Sequence, residues 1–188
     1  TNPVKNIQEL LSLAKQNPGK INAGYGSSSS QICIAMLGKL GGVEILSVPY
    51  KGIPLAMNDV MGGTLEFTFA DIGNALAQIK GGTMKGLGVT ASKRSILAPD
   101  LPAIAEVLPG FDITAWFAIV GPAGIPKDVV SKLNIATTDA LKKSDVKEKL
   151  AAVGLSTMPM SSDQLQGFIV SEIGKWSRLV KDANIQPE

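Results

Sequence analysis

Three glycine doublets, Gly41-Gly42, Gly62-Gly63 and Gly81-Gly82, punctuate the first half of the chain at intervals of about twenty residues. Each closes an apolar-periodic stretch and opens one rich in β-formers: Val43–Val48, Leu65–Phe69 and Met84–Thr90. Glycine ends a helix at low cost because it accepts a left-handed backbone, so the doublets read as helix ends feeding strands. Pro18-Gly19 does the same before Ile21–Gly26. Four strands alternating with helices predict a parallel sheet with crossover helices packed on its faces. A leucine-rich repeat has a similar period, but its Leu-x-x-Leu-x-Leu pattern is missing.

The helices follow from apolar spacing and caps. Asn6 with Glu9 three residues on predicts a capping box for a helix through about Lys15. Ile32, Ala35, Met36 and Leu40 line one face of the second helix; Ala56, Val60 and Met61 line the third, and Ala75, Leu76 and Ile79 the fourth. Pro99, Pro102 and Pro109-Gly110 then break the rhythm around a short helix near Ala103–Leu108, which places a domain boundary at about 110. Beyond it, Ile113–Val120 reads as an apolar strand. Gly121–Pro126 reads as a loop, and Lys127–Lys142 as a helix with Val129, Val130, Leu133, Ile135 and Ala136 as core candidates. Ser144 is expected to cap a helix to Val153, Leu155–Met158 to form a short strand, and Ser161 or Ser162 to start a last helix through Lys181. The apolar side of that helix carries Leu165, Phe168, Ile169, Ile173, Trp176 and Val180. Three helices over two strands make an incomplete second lobe, so the expected organisation is a complete α/β lobe over 1–110 and part of another over 111–188.

Composition narrows the chemistry. The 188 residues contain no histidine, which removes Ser-His-Asp and Cys-His catalysis and imidazole–metal sites. A single cysteine, Cys33, allows neither an intrachain disulfide nor a cysteine-cluster zinc site. A net charge of +2 is too small to hold a nucleic acid by charge alone. Thr1-Asn2-Pro3-Val4 has no basic or apolar signal-peptide region, so either the protein is cytosolic or a leader lies outside this sequence. No stretch approaches the roughly 18 apolar residues of a spanning helix.

In a parallel α/β sheet, ligands bind beyond the carboxyl ends of the strands. The first such end is Ser27-Ser28-Ser29-Ser30, a hydroxyl-rich entry to a helix whose unpaired amides and dipole favour carboxylate, phosphate or sulfate; ordinary capping is the alternative. The second is Tyr50-Lys51, a wall and a charge or a plain turn. The third is Ala70-Asp71, where Asp71 either caps the next helix or binds a ligand amine or hydroxyl. The fourth is Thr90-Ala91-Ser92, followed by Lys93 and Arg94 on the surface. No phosphate-loop or dinucleotide fingerprint occurs, so no cofactor is expected. Cys33 reads as a small buried residue and Trp176 as core, while Trp116 is either a cleft wall or core. No nucleophile–base pair can be assembled by spacing.

Asn17-Pro18-Gly19-Lys20-Ile21-Asn22, Val48-Pro49-Tyr50-Lys51-Gly52, Gly62-Gly63, Ile79-Lys80-Gly81-Gly82, Leu87–Thr90 with Arg94, Pro99-Asp100-Leu101-Pro102, Gly110-Phe111, Trp116 and Gly121-Pro122-Ala123-Gly124 occur in order. Together they resemble the Bug/TctC family, the extracytoplasmic solute receptors of tripartite tricarboxylate transporters, over nearly the whole chain. The resemblance implies a periplasmic-binding-protein fold of two α/β lobes that close on a ligand, here without the family's leading segment. It also implies a periplasmic location, membrane transporter subunits as partners, and capture of a small organic carboxylate with no reaction catalysed. The ligand would be held by amides, hydroxyls and waters near Ser27, Ser28, Ser29, Ser30, Tyr50, Ala70, Asp71 and Thr90. The chain departs from the family pattern at Gln31 and Ser47, where histidines are common, at Ala70, where aspartate is frequent, and in a shorter serine loop. The other readings are an anion-binding sensor or interaction domain and a small α/β enzyme using Lys51, Asp71 and the serines. An incomplete second lobe predicts self-association, with exchange of the last helix between copies as one route.

Overall fold

The computed structural model describes residues 3–185. The chain divides into two compact units, Thr1–Ala115 with Leu179–Glu188, and Trp116–Arg178.

In the first unit, helix α1 (Ile7–Gln16) starts where expected: the Asn6 side chain accepts the Glu9 N–H at 2.8 Å, and Glu9 reaches back to the Lys5 N–H at 2.8 Å. Ile7, Leu10, Leu11 and Ala14 repeat at helical spacing and bury its inner face. Strand β1 (Asn22–Tyr25) lies between β2 (Leu46–Pro49) and β3 (Phe67–Thr68), and both pairings are parallel. Tyr25 stands opposite Pro49 and Gly24 opposite Thr68, so the three carboxyl ends finish at one rim. Helices α2 (Ser28–Gly41), α3 (Ile53–Met61) and α4 (Ile72–Lys80) make the connections. The second glycine of each doublet takes the left-handed backbone, at φ 61°, 80° and 70° for Gly42, Gly63 and Gly82. Each doublet therefore stops its helix and turns the chain back.

Met84–Thr90 does not form the expected fourth strand. Val89 makes one isolated parallel bridge to Ala103, donating its N–H to Pro102 O and accepting from Ile104 N–H, both at 2.9 Å. Two features stop the ladder there. Gly86 and Gly88 weaken the strand, and Pro102 has no N–H to donate. A short 3-10 turn, Ile104–Glu106, replaces the expected helix near Ala103–Leu108. Arg94 docks on it through Nε and Nη2, which donate to the two Glu106 carboxylate oxygens at 2.8 and 2.9 Å. That guanidinium, followed by the Ala103 N–H, lowers the Glu106 carboxyl to about 2. The core gathers Leu10, Ile32, Ile34, Leu37, Ile104 and Phe111, all fully buried.

The second unit holds α5 (Lys127–Lys142), α6 (Ser144–Ala152) and most of α7 (Ser162–Asp182). Ser144 is the first helical residue of α6 rather than its cap, a position taken by Lys143. Ser161 caps α7, exchanging bonds with Gln164: its hydroxyl accepts the Gln164 N–H at 3.2 Å and its own N–H donates to Gln164 Oε1 at 2.9 Å. Neither Ile113–Val120 nor Leu155–Met158 becomes a strand. A strand exists only with a partner, and among the described residues no backbone hydrogen bond joins 114–120 to another segment. Phe117 is accordingly 83% exposed. The α5 core expectation also fails: Val129, Leu133, Ile135 and Ala136 are exposed, Val130 is half-buried, and Ile173 on α7 is exposed. Their spacing makes an apolar stripe, but within this unit nothing described covers it.

Candidate functional site

The rim beyond β1, β2 and β3 is built from helix amino ends. At the exit of β1, Ser27 takes the N-cap of α2 and its hydroxyl accepts the Ser30 N–H at 3.2 Å. Ser30 is buried; its hydroxyl accepts the N–H groups of Gly26 and Ser27 at 3.2 and 3.1 Å and donates to Ser27 O at 2.8 Å. Two of the four serines are thus consumed in a reciprocal cap. Ser28 and Ser29 occupy the first turn, where amides have no intrahelical acceptor. The Ser28 side chain is exposed with no partner among the described residues, and Ser29 Oγ lies 3.1 Å from Ser27 Oγ.

The exit of β2 sits directly against this turn. A Cβ placed on Gly26 would lie 2.4 Å from both Gly52 C and Ile53 N, so the two loops pack backbone on backbone. Gly52 is the N-cap of α3 and contributes no side-chain cap; among the described residues the Ile53 N–H makes no backbone hydrogen bond, and Pro54 has no N–H. The positive ends of α2 and α3 therefore adjoin, and their fields add. At the exit of β3, Asp71 stands at the N-cap of α4 without making a capping bond, with half-buried Ala70 before it. Thr68 Oγ1 donates to Gly24 O at 2.8 Å and ties this exit to β1.

Tyr50 is less free than its position suggests. Its hydroxyl donates to Asp59 Oδ2 on α3 at 2.5 Å, and that bond raises the phenol above its ordinary value. Its ring edge closes over Gly24, where an added Cβ would meet Tyr50 Cε2 at 3.1 Å. Lys51 is exposed at the mouth. The structure thus brings Ser27–Ser30, Tyr50, Ala70 and Asp71 to the carboxyl ends of the three strands. Thr90 belongs to the segment outside the sheet, where its carbonyl accepts the Ile113 N–H at 2.9 Å. Asp59 and the Gly26–Gly52 contact escaped the sequence reading, although glycines at two successive strand exits were a usable signal of close approach.

Cys33 is buried one turn into α2, and burial pushes its thiol up to about 12, so it packs as a small apolar group. Among the described residues no cluster of His, Cys, Asp or Glu could hold a metal ion, and no helix is long and apolar enough to cross a membrane.

Parallel strands, crossover helices and helix amino ends gathered at one rim define an α/β ligand-binding fold of the periplasmic-binding-protein type. The family described as "Tripartite tricarboxylate transporter family receptor" (TctC) matches residues 1–185, and the chain belongs to it. A relative from Pseudomonas sp. (strain P51), encoded in the tcbD-tcbE intergenic region, is 33% identical over 181 residues, covering 94% of this chain and 54% of its own. Among solved structures, R. palustris Rpa4515 with adipate superposes at a TM-score of 0.89 with 29% identity, covering 99% of this chain and 63% of its own. MatC from Rhodopseudomonas palustris with bound malate superposes at 0.76 with 28% identity, covering 96% and 63%. The chain spans a little over half the length of the first of these relatives.

Proposed function

We propose that this chain carries the carboxylate-holding rim of a periplasmic solute receptor that presents its ligand to a tripartite tricarboxylate-type transporter. The ligand is a small organic mono-, di- or tricarboxylate. Ser28 and Ser29 hydroxyls, the first-turn amides of α2 and the uncapped amino end of α3 hold the anion. Tyr50, Ala70 and Asp71 bound it at the neighbouring exits, while Thr90, outside the sheet, is left out of the set. The observation that carries this reading is the back-to-back meeting of two helix amino ends at Gly26 and Gly52, one of them uncapped. The adipate and malate bound to two structural neighbours support a carboxylate as the class. No bond is made or broken: capture rests on charge-assisted hydrogen bonds in a fixed frame. Residues 1–110 act as the ligand-bearing lobe and 111–188 as part of a second.

Titration calorimetry against a carboxylate panel tests the site. The S28A/S29A double variant is expected to bind the best carboxylate about ten- to a hundredfold more weakly, the loss of one or two bonds to a charged group. Ser12→Ala, on the far side of α1 with its hydroxyl on Gln8 O, serves as control and binds as the parent does. Unchanged affinity in the double variant removes the serine turn from the site. The absence of thermal stabilisation by every carboxylate overturns the receptor reading itself.

We also infer self-association of this chain through the uncovered apolar side chains of the second unit, Phe117, Ile119, Val120, Ile135 and Ile173 among them. Sedimentation at micromolar concentration is expected to give a species heavier than the 19.6 kDa monomer. A stable monomer refutes this.

A further inference from the structure

The chain leaves the first unit after Ala115 and rejoins it after Arg178. Beside these two passages stand its two tryptophans, Trp116 and Trp176. Their indole N–H groups donate to the same atom, Glu172 Oε2, at 2.9 and 3.0 Å. Glu172 is one of only two buried polar residues among those described. Phe168, Glu172 and Trp176 are spaced four apart on α7 and so share one face. Trp116 lies against that face, its ring edge-on to Phe168 at 5.2 Å and 70°. The second carboxylate oxygen lies 3.9 Å from Lys175 Nζ.

A buried carboxylate is retained only when its oxygens are satisfied. Here the satisfaction comes from two residues sixty positions apart in sequence. We propose that Glu172 is a positioning residue that staples the outgoing and returning connections of the second unit together, so that Trp116 and Trp176 are held or released as a pair. A carboxylate suits this role better than an amide. Whichever of its oxygens faces the two indoles accepts from both, whereas a glutamine offers a weaker neutral oxygen to both in one orientation and turns its NH₂ toward both in the other. The inference is independent of the carboxylate-receptor reading, since none of these groups belongs to the serine rim.

The test uses the ¹⁵N-labelled full chain, which has two indole N–H resonances, one per tryptophan. In E172Q both resonances are expected to shift, and solvent exchange of both indole protons to quicken by about tenfold, the loss of one charge-assisted bond. Trp116→Phe tests the coupling without touching the carboxylate: the Trp176 resonance is expected to move, and in Trp176→Phe the Trp116 resonance moves in return. Glu148→Gln, on exposed α6, leaves both in place. If either tryptophan fails to respond to E172Q, or each ignores removal of the other, the staple is refuted and Glu172 is a local packing partner of one ring. Should E172Q not fold, the two Trp→Phe variants decide the matter alone.

Discussion

Alanine at position 26 is expected to lower stability by about 1–3 kcal/mol and to abolish measurable carboxylate binding. The Cβ it introduces would sit 2.4 Å from Gly52 C and Ile53 N, which are backbone atoms with no rotamer to yield. The loops after β1 and β2 must then part, and with them the amino ends of α2 and α3. Displacements of about an ångström are enough to spoil an oriented set of donors. Gly42→Ala separates this steric effect from glycine's backbone freedom. Gly42 has φ 61° but open space where a Cβ would go, so alanine there costs only the left-handed strain of about 1 kcal/mol and leaves affinity intact. Thermal melts and calorimetry on the two variants check both halves of the expectation. A G26A protein that melts and binds like the parent would contradict the packing of the two loops.

The parts of the fold legible in the sequence were those with a local cause. The glycine doublets mark real helix ends because a left-handed backbone is a local demand, and Asn6–Glu9 caps α1 because both partners lie within one turn. Four strands are expected, and Met84–Thr90 fails for two reasons, its own Gly86 and Gly88 and a partner, Pro102, that cannot donate and whose pairing with it no local pattern reveals. The stripe Val129, Leu133, Ile135 on α5 is truly apolar, but periodicity reveals a face and not what covers it. The serine tract was ambiguous in the same way. Four consecutive hydroxyls signal a helix entry, and only the geometry divides them into a spent pair, Ser27 and Ser30, an exposed Ser28 and a Ser29 whose hydroxyl lies 3.1 Å from Ser27 Oγ. Asp59 could not be linked to Tyr50 without knowing that α3 folds back beside β2. Glu172 was legible in hindsight, as the one acid set between Phe168 and Trp176 in an apolar stripe.

Truncating Phe111 to alanine is expected to cost about 3–5 kcal/mol, comparable with any single core change in the first unit. Its ring is 1% exposed and stacks on Phe69 at 6.3 Å, and Phe69 in turn meets Phe67 of β3 edge-on at 5.9 Å. Phe111 therefore anchors the segment after the 3-10 turn onto the sheet; the cavity left by alanine would open beside β3, next to the rim. Spectroscopy can assign the damage to one unit, because both tyrosines, Tyr25 and Tyr50, lie in the first and both tryptophans in the second. The tyrosine-detected melting midpoint is expected to fall by about 10–20 °C, and the tryptophan-detected one by less. Equal falls would make the two units a single cooperative block. An unchanged tyrosine midpoint would contradict the core position of Phe111. Phe111→Leu, which keeps most of the apolar volume, should cost no more than about 1.5 kcal/mol, so the contrast between leucine and alanine measures the filled cavity rather than the aromatic pair.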